Sequence, residues 1–132
     1  MDTNMKIEHI GLAVSNPISM ANWYVEHLGF IIRRQNGDDH KGLAFISDPE
    51  QGTMLELFEN NVTPPLGSYN LSPLAVHIAV TSQNPEADMQ RLIEAGAVYM
   101  EGDARKTTGD VLVLLRDPWG NVIQLAKREK DF

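Results

Sequence analysis

Cysteine is absent from this 132-residue sequence, and basic residues are scarce. Without cysteine the chain has no disulfide, no thiol nucleophile and no cysteine-based zinc site. Eleven Lys and Arg against eighteen Asp and Glu give a formal net charge of −7, which repels nucleic acid and anionic lipid. No apolar run approaches the roughly 20 residues of a transmembrane helix. We therefore expect neither nucleic acid nor a membrane as a partner.

The rest of the composition is that of a globular protein. Hydrophobic residues make up 42% of the chain and charged residues 22%, which is enough apolar material for a packed core. The length predicts a single domain spanning 1–132. The first six residues are polar and lack the apolar segment of a secretory signal, so we expect a cytoplasmic protein.

An internal repeat organises the chain. Short landmarks recur in the same order at an almost constant spacing of about 68 residues. The recurring pairs are His9-Ile10 with His77-Ile78, Asn16-Pro17 with Asn84-Pro85, Gly29 with Gly96, and Asp48-Pro49 with Asp117-Pro118. The sequence thus predicts a duplication, with module one at about 6–59, a proline-rich linker at 60–73 and module two at about 74–128.

Each module follows the order β-α-β-β-β. Asn16 and Asn84 are placed to cap helices that begin at the following proline, and Gly29 and Gly96 are placed to end them. Alternating apolar residues and turn residues predict the strands. The predicted strands are 6–15, 30–36, 42–47 and 53–59 in module one, and 74–81, 97–101, 110–116 and 121–127 in module two.

Polar residues fall at matching places in the two modules. Strand alternation puts His9 and His77 on faces flanked by small residues, which leave room for a cavity. Glu56 and Gln124 occupy equivalent positions on the last strand of each module. Two imidazoles and one carboxylate are a common ligand set for a divalent metal, and Gln can add a weaker amide oxygen. The four side chains could converge if the modules pack around a pseudo-twofold axis.

The ordered motifs resemble those of the vicinal oxygen chelate superfamily, which includes glyoxalase I, bleomycin resistance proteins and extradiol dioxygenases. The resemblance covers about 6–128 and is closest to the glyoxalase I branch. It is carried by the segments His9-Ile10-Gly11-Leu12-Ala13-Val14, Trp23-Tyr24 with Leu28-Gly29-Phe30, Leu55-Glu56-Leu57, His77-Ile78-Ala79-Val80, and Asp117 to Gln124. It implies an α+β fold in which two tandem βαβββ modules form an open, cupped mixed sheet with the helices outside.

The resemblance also implies a site and a chemistry. The metal ligands would be His9, Glu56, His77 and Gln124, holding one divalent ion per site (Ni, Zn, Co, Mn or Fe(II)). The enzyme would be a lyase or isomerase that binds two neighbouring oxygens of a small substrate and proceeds through a metal-stabilised enediolate. Glu56 would move the proton as the catalytic carboxylate.

Further residues bear on the substrate. Asn60 matches a substrate anchor of glutathione-using relatives, and Trp119 in the last turn would cover the cavity rim as a second substrate-binding residue. The family's usual last ligand is Glu, whereas Gln124 cannot accept a proton. The arginine that glutathione-using relatives carry four residues after the first ligand is replaced by Ala13. These departures put glutathione, and the substrate itself, in question.

Other interpretations of the same residues stay open. A strand histidine is more commonly a hydrogen-bonded structural residue, and Glu56 could pair with a Lys or Arg. The main alternative function is a non-catalytic, metal-free drug-binding protein of the bleomycin-resistance type, and a weaker one is an accessory subunit whose site has decayed. For the enzyme and for the drug-binding protein the partner is a small molecule. For both of these and for the accessory subunit we expect a homodimer, because open sheets leave edges to cover.

Overall fold

The computed structural model describes residues 3–50, 52–100 and 109–132. The chain divides into two compact units, unit 1 at Met1–Tyr69 and unit 2 at Asn70–Phe132. Each unit has the order β-α-β-β-β and forms a four-stranded mixed sheet of its own. The predicted α+β fold of two tandem βαβββ modules is confirmed. No helix among the described residues has the length and apolar character needed to cross a bilayer.

Unit 1 is built on a sheet with the strand order β1-β4-β3-β2. Its elements are β1 (His9–Ala13), α1 (Pro17–Leu28), β2 (Ile31–Asn36), β3 (Leu43–Ser47) and β4 (Met54–Phe58). The pair β1–β4 is parallel and the other two pairs are antiparallel. The β1 strand is shorter than the predicted 6–15 at both ends. A short 3₁₀ helix, Leu66–Ser68, follows within the predicted linker.

The apolar face of α1 packs on β2, β3 and β4. Met20 and Tyr24 are fully buried on this face, as are Ile46 and Leu57 on the strands beneath it. Gly29 ends the helix in the left-handed conformation with φ 75°, as its position predicts, because glycine adopts positive φ without a steric penalty. The core of unit 1 therefore lies on one side of its sheet.

The start of α1 is held by a residue distant in sequence. Asn16 occupies the cap position, but its side chain makes no capping hydrogen bond. The backbone N–H of Ser19 instead donates to Asp39 Oδ1 at 2.8 Å, and the Ser19 hydroxyl donates to Asp39 Oδ2. Desolvation raises the pKa of Asp39, but hydrogen bonds from Ser19 and Ile18 outweigh it, and the net pKa is lowered. The predicted side-chain cap is thus replaced by an aspartate from the β2–β3 turn.

Unit 2 has the equivalent strand order β5-β8-β7-β6. Its elements are β5 (Ile78–Thr81), α2 (Pro85–Glu94), β6 (Val98–Tyr99), β7 (Val111–Arg116) and β8 (Val122–Lys127). Here the predicted cap is present, because Asn84 Oδ1 accepts a hydrogen bond from Ala87 N at 3.2 Å. The helix packs on β6, β7 and β8 and buries Leu92. Residue 101, the predicted end of the strand at 97–101, lies outside the described residues.

Candidate functional site

One row of residues crosses the sheet of unit 1 from edge to edge. Gly11 on β1 pairs with Glu56 on β4, Glu56 pairs with Phe45 on β3, and Phe45 pairs with Arg34 on β2. Directly paired residues on neighbouring strands place their side chains on the same face of a sheet. His9 lies two residues before Gly11 and shares this face. We call this surface the polar face of unit 1.

His9 and Glu56, two of the predicted site residues, meet on the polar face. His9 Nε2 lies 3.6 Å from Glu56 Oε1, and the two side chains are 37% and 23% exposed. The ring of Phe45 stands edge-on to the imidazole at a centroid distance of 5.4 Å. A partly buried carboxylate thus faces an imidazole beside an aromatic ring, where screening by water is reduced.

Glycine at position 11 leaves the space before this carboxylate open. A Cβ atom at Gly11 would lie 3.4 Å from Glu56 Oε1 and 3.7 Å from Phe58 Cε1. Those are contact distances, so any larger side chain would cover the carboxylate oxygen. The small residues that the sequence places on this face therefore provide room at Glu56 itself.

Glu8 orients His9 from the opposite side of the ring. His9 Nδ1 lies 2.6 Å from Glu8 Oε1, a short charge-assisted contact. In the neutral tautomer that carries its proton on Nδ1, His9 donates to Glu8 and presents the lone pair of Nε2 on the side of Glu56. Carboxylates commonly fix the tautomer of a metal-binding histidine in this way. Strand alternation places Glu8 on the face opposite His9, so the sequence pattern does not indicate this contact although the two residues are adjacent.

The His9–Glu56 pair fits two ligands of one metal ion. Two donor atoms at ~2.1 Å from an ion and at the tetrahedral angle lie about 3.4 Å apart, and the pair is spaced at 3.6 Å. Over the described residues of either unit, no three His, Cys, Asp or Glu side chains form a group that could hold a metal. Unit 1 therefore provides two metal-compatible groups and not a complete ligand set.

In unit 2 the predicted site residues lie in different settings. Gln124 is buried on β8, where it pairs with Ala79 and Leu114. His77 is exposed and precedes β5, and its Nδ1 lies 3.3 Å from the carbonyl oxygen of Leu74. The strand predicted at 74–81 thus begins only at residue 78, so the alternation used to place His77 does not apply.

A turn explains the late start of β5. The N–H of Ala75 donates to the carbonyl oxygen of Ser72 at 2.9 Å, which closes a turn around Pro73 and Leu74. Proline fixes φ near −65° and favours such a turn over a continuous strand. The predicted strand boundary was therefore wrong because turn chemistry outweighed the apolar pattern of the segment.

A comparison with protein-family models decides the family. The model of the Glyoxalase/Bleomycin resistance protein/Dioxygenase superfamily matches residues 6–125. The chain belongs to this superfamily. The resemblance seen in the sequence is confirmed at this level, and the glyoxalase I branch within it stays a prediction. A comparison with curated proteins finds no significant match.

Solved structures of the superfamily share the fold over nearly the whole chain. TnmS3, an antibiotic-binding protein from a Streptomyces species, is 24% identical with a TM-score of 0.70, covering 95% of this chain and 97% of its own. A glyoxalase family protein from Enterococcus faecalis is 26% identical with a TM-score of 0.66, covering 92% and 97%. One from Bacillus cereus is 15% identical with a TM-score of 0.75, covering 96% and 97%.

The two predicted substrate-binding residues of this superfamily member take part in local turns. Asn60 Oδ1 accepts hydrogen bonds from the N–H groups of Val62 and Thr63 at 3.0 and 2.8 Å, the pattern of an Asx turn. Trp119 is half-buried, and its backbone N–H donates to Asp117 Oδ1 at 2.9 Å. Both turns are structural features of the chain, and substrate contact at Asn60 and Trp119 stays a prediction.

A pocket opens beside the polar face of unit 1. Its cavity volume is about 150 Å³, and it is partly open to solvent. Its lining residues are Glu8, Arg33, Arg34, Phe45 and Met54. A cavity of about 150 Å³ can hold a single aromatic ring, and the wall of this pocket includes the glutamate that contacts His9. The sequence indicated neither the pocket nor the place of Phe45 in it.

Proposed function

We propose that the protein is a metal-dependent lyase or isomerase of the glyoxalase I type, acting on a small substrate with two neighbouring oxygens. The observation that carries the proposal is the contact of His9 Nε2 with Glu56 Oε1 on the open polar face of unit 1. Glu8 on the far side of the imidazole and Gly11 in front of the carboxylate support it.

Within this proposal, His9 and Glu56 would hold a divalent ion. The ion would polarise the two substrate oxygens and lower the energy of the transition state for proton removal. Glu8 would keep the unprotonated Nε2 of His9 aimed at the site. His77 and Gln124 stay predicted as the remaining ligands, and the choice among Ni, Zn, Co, Mn and Fe(II) stays open.

Glu56 would move the proton. Of the four predicted site residues it is the single carboxylate, and a glutamine side chain cannot accept a proton at neutral pH. The aromatic edge of Phe45 reduces the access of water to the His9–Glu56 contact. The open space before Oε1 would admit a substrate C–H group within reach of the base.

A second candidate function is metal-free sequestration of a small aromatic molecule. Phe45 and Met54 in the wall of the pocket favour it, because they offer apolar and aromatic surface beside the polar groups. Similarity to the antibiotic-binding protein TnmS3 also supports it. Gln124 in place of a glutamate would be consistent with a site that binds and does not catalyse.

Metal content separates the two candidates. The chain would be reloaded with each candidate ion, dialysed and measured by elemental analysis as wild type and as Glu56→Ala. We expect near-stoichiometric metal in the wild type and a loss of at least about tenfold in affinity for the variant. Glu94→Ala, which removes an exposed glutamate from α2, is the matched control and should keep the metal.

A folded wild type with no affinity for any of the five ions would refute the enzyme proposal. The fluorescent probe anilinonaphthalene sulfonate then tests the second candidate. Binding that is unchanged by a chelator and by Glu56→Ala would support metal-free sequestration.

The single-domain organisation, the homodimer and the cytoplasmic location stay predictions.

A further inference from the structure

Two consecutive arginines on β2 both reach the pocket beside the polar face. Arg34 pairs with Phe45, and the register between β2 and β3 shifts between Ile32 and Arg34, so Arg33 is the extra residue of a β-bulge. In a regular strand neighbouring side chains point to opposite faces, whereas a bulge turns a side chain towards a new direction. The bulge explains why Arg33 and Arg34 line the same pocket.

Neither arginine is neutralised by the part of the chain that the structure describes. Over residues 3–50, 52–100 and 109–132, no carboxylate lies within ion-pair distance of either guanidinium. Arg33 Nε donates to the hydroxyl of the buried Ser47 at 2.9 Å, which holds that guanidinium by one edge. Two adjacent cations thus form a local positive site on a chain with a net charge of −7.

Glu8, the carboxylate among the described residues that line the pocket, is already engaged. Glu8 Oε1 lies 2.6 Å from His9 Nδ1. The charge of Glu8 is therefore directed to the imidazole, whereas no such partner faces Arg33 or Arg34 among the described residues. An anion between the arginines would relieve their mutual repulsion and gain charge-assisted hydrogen bonds.

The order of residues across the sheet sets the orientation of such a ligand. Arg34, Phe45 and Glu56 follow one another on three adjacent strands. Strands lie about 4.8 Å apart, so the backbones at Arg34 and Glu56 are separated by roughly 10 Å with Phe45 between them. A ligand held by its anionic group at the arginines would lay its apolar part over Phe45 and extend towards His9 and Glu56.

We propose that the ligand of this site is a small organic anion, with a carboxylate or phosphate bound by Arg33 and Arg34 and an apolar body against Phe45 and Met54. The anion subsite itself stands on unit 1 alone. Its role in orienting a substrate rests on the function proposed above for His9 and Glu56. Arginine binds carboxylate and phosphate alike through two parallel N–H···O hydrogen bonds. The experiment below separates the two ligand classes.

Three one-ring probes test the subsite by isothermal titration of the full chain in low salt. They are phenyl phosphate, benzoate and the neutral benzyl alcohol. We expect at least one anion to bind more tightly than benzyl alcohol, and added salt to weaken its binding. The anion that binds more tightly identifies the ligand class. Equal affinity for all three probes would overturn the proposal.

Variants locate the binding. Arg34→Gln should weaken the preferred anion about tenfold, which is about 1.4 kcal/mol, and leave benzyl alcohol unchanged. Arg91→Gln removes an exposed arginine from α2 with the same change of net charge and should have no effect. Anion affinity that survives in Arg34→Gln and in the double variant of Arg33 and Arg34 would contradict the assignment.

The same variants keep this proposal distinct from the proposed function. Arg34→Gln should retain the metal content of the wild type, because its side chain is not a predicted ligand. Glu56→Ala should lose the metal and still bind the preferred anion. Anion binding in a chain without metal affinity would support the anion subsite and refute the metal-dependent enzyme. Metal binding without any preference for an anion would support the enzyme and refute the anion subsite.

Discussion

Replacing Gly11 with alanine should separate stability from function at the polar face. The added Cβ would lie 3.4 Å from Glu56 Oε1 and 3.7 Å from Phe58 Cε1, which are contact distances without overlap. Glycine within a strand costs about 0.5–1 kcal/mol relative to alanine, so the free energy of unfolding should rise by up to that amount. The same methyl group would fill the space before the carboxylate. We expect metal affinity to fall at least about tenfold, or about 1.4 kcal/mol.

Two measurements test this expectation for Gly11→Ala. Urea unfolding in the presence of a chelator gives the stability of the metal-free chain, and competition with a chromogenic chelator gives metal affinity. Gly52→Ala is the matched control, because a Cβ there meets nothing within 4 Å. Unchanged metal affinity in Gly11→Ala would refute the argument that the open space serves Glu56. A loss of more than about 1 kcal/mol in stability would show that the methyl group does not fit.

Two further predictions concern the helix starts, and urea unfolding measures both. Asp39→Ala should lower the free energy of unfolding at pH 7 by about 1 kcal/mol, while Asp131→Ala at the exposed C-terminus should not. Because the folded pKa of Asp39 is lowered from 3.8, its stabilisation is complete above that value and is lost as the pH falls through the folded pKa. Wild type and variant should therefore converge in acid, and a constant difference would contradict the role of the charge. Asn84→Ala should lower the free energy of unfolding by about 1 kcal/mol and Asn16→Ala by only about a few tenths, because Asn84 caps its helix and Asn16 does not. Equal losses in the two variants would contradict this difference.

The repeat in the sequence was sufficient to predict the order of elements. Asn-Pro pairs place the helix starts at Pro17 and Pro85, and glycines and turn residues separate the strands. Local signals of this kind act within a few residues, so a single sequence carries them completely. The start of β5 was predicted too early, because the turn around Pro73 competes with an apolar pattern that also suits a strand.

The site could be predicted only in part. The sequence identified His9 and Glu56 as candidates, but their meeting on one face and the neighbours of the pair depend on strand register. Phe45 joins the row through the pairing of β3 with β4, and Arg34 joins it through the bulged pairing of β2 with β3, which no local motif indicates. Contacts between strands are set by the packing of the whole sheet, and the sequence pattern does not specify them.

The two helix starts differ in how far along the chain their stabilising partner lies. Asn84 caps α2 through Ala87, three residues away, and the bond can form as soon as that segment is helical. Asp39 reaches Ser19 across 20 residues, so its contribution requires the turn between β2 and β3 to be in place. Loops of that length close at an entropic cost that a local contact avoids. We therefore expect α2 to gain its cap during local helix formation, and α1 to gain its cap only when the turn between β2 and β3 has formed.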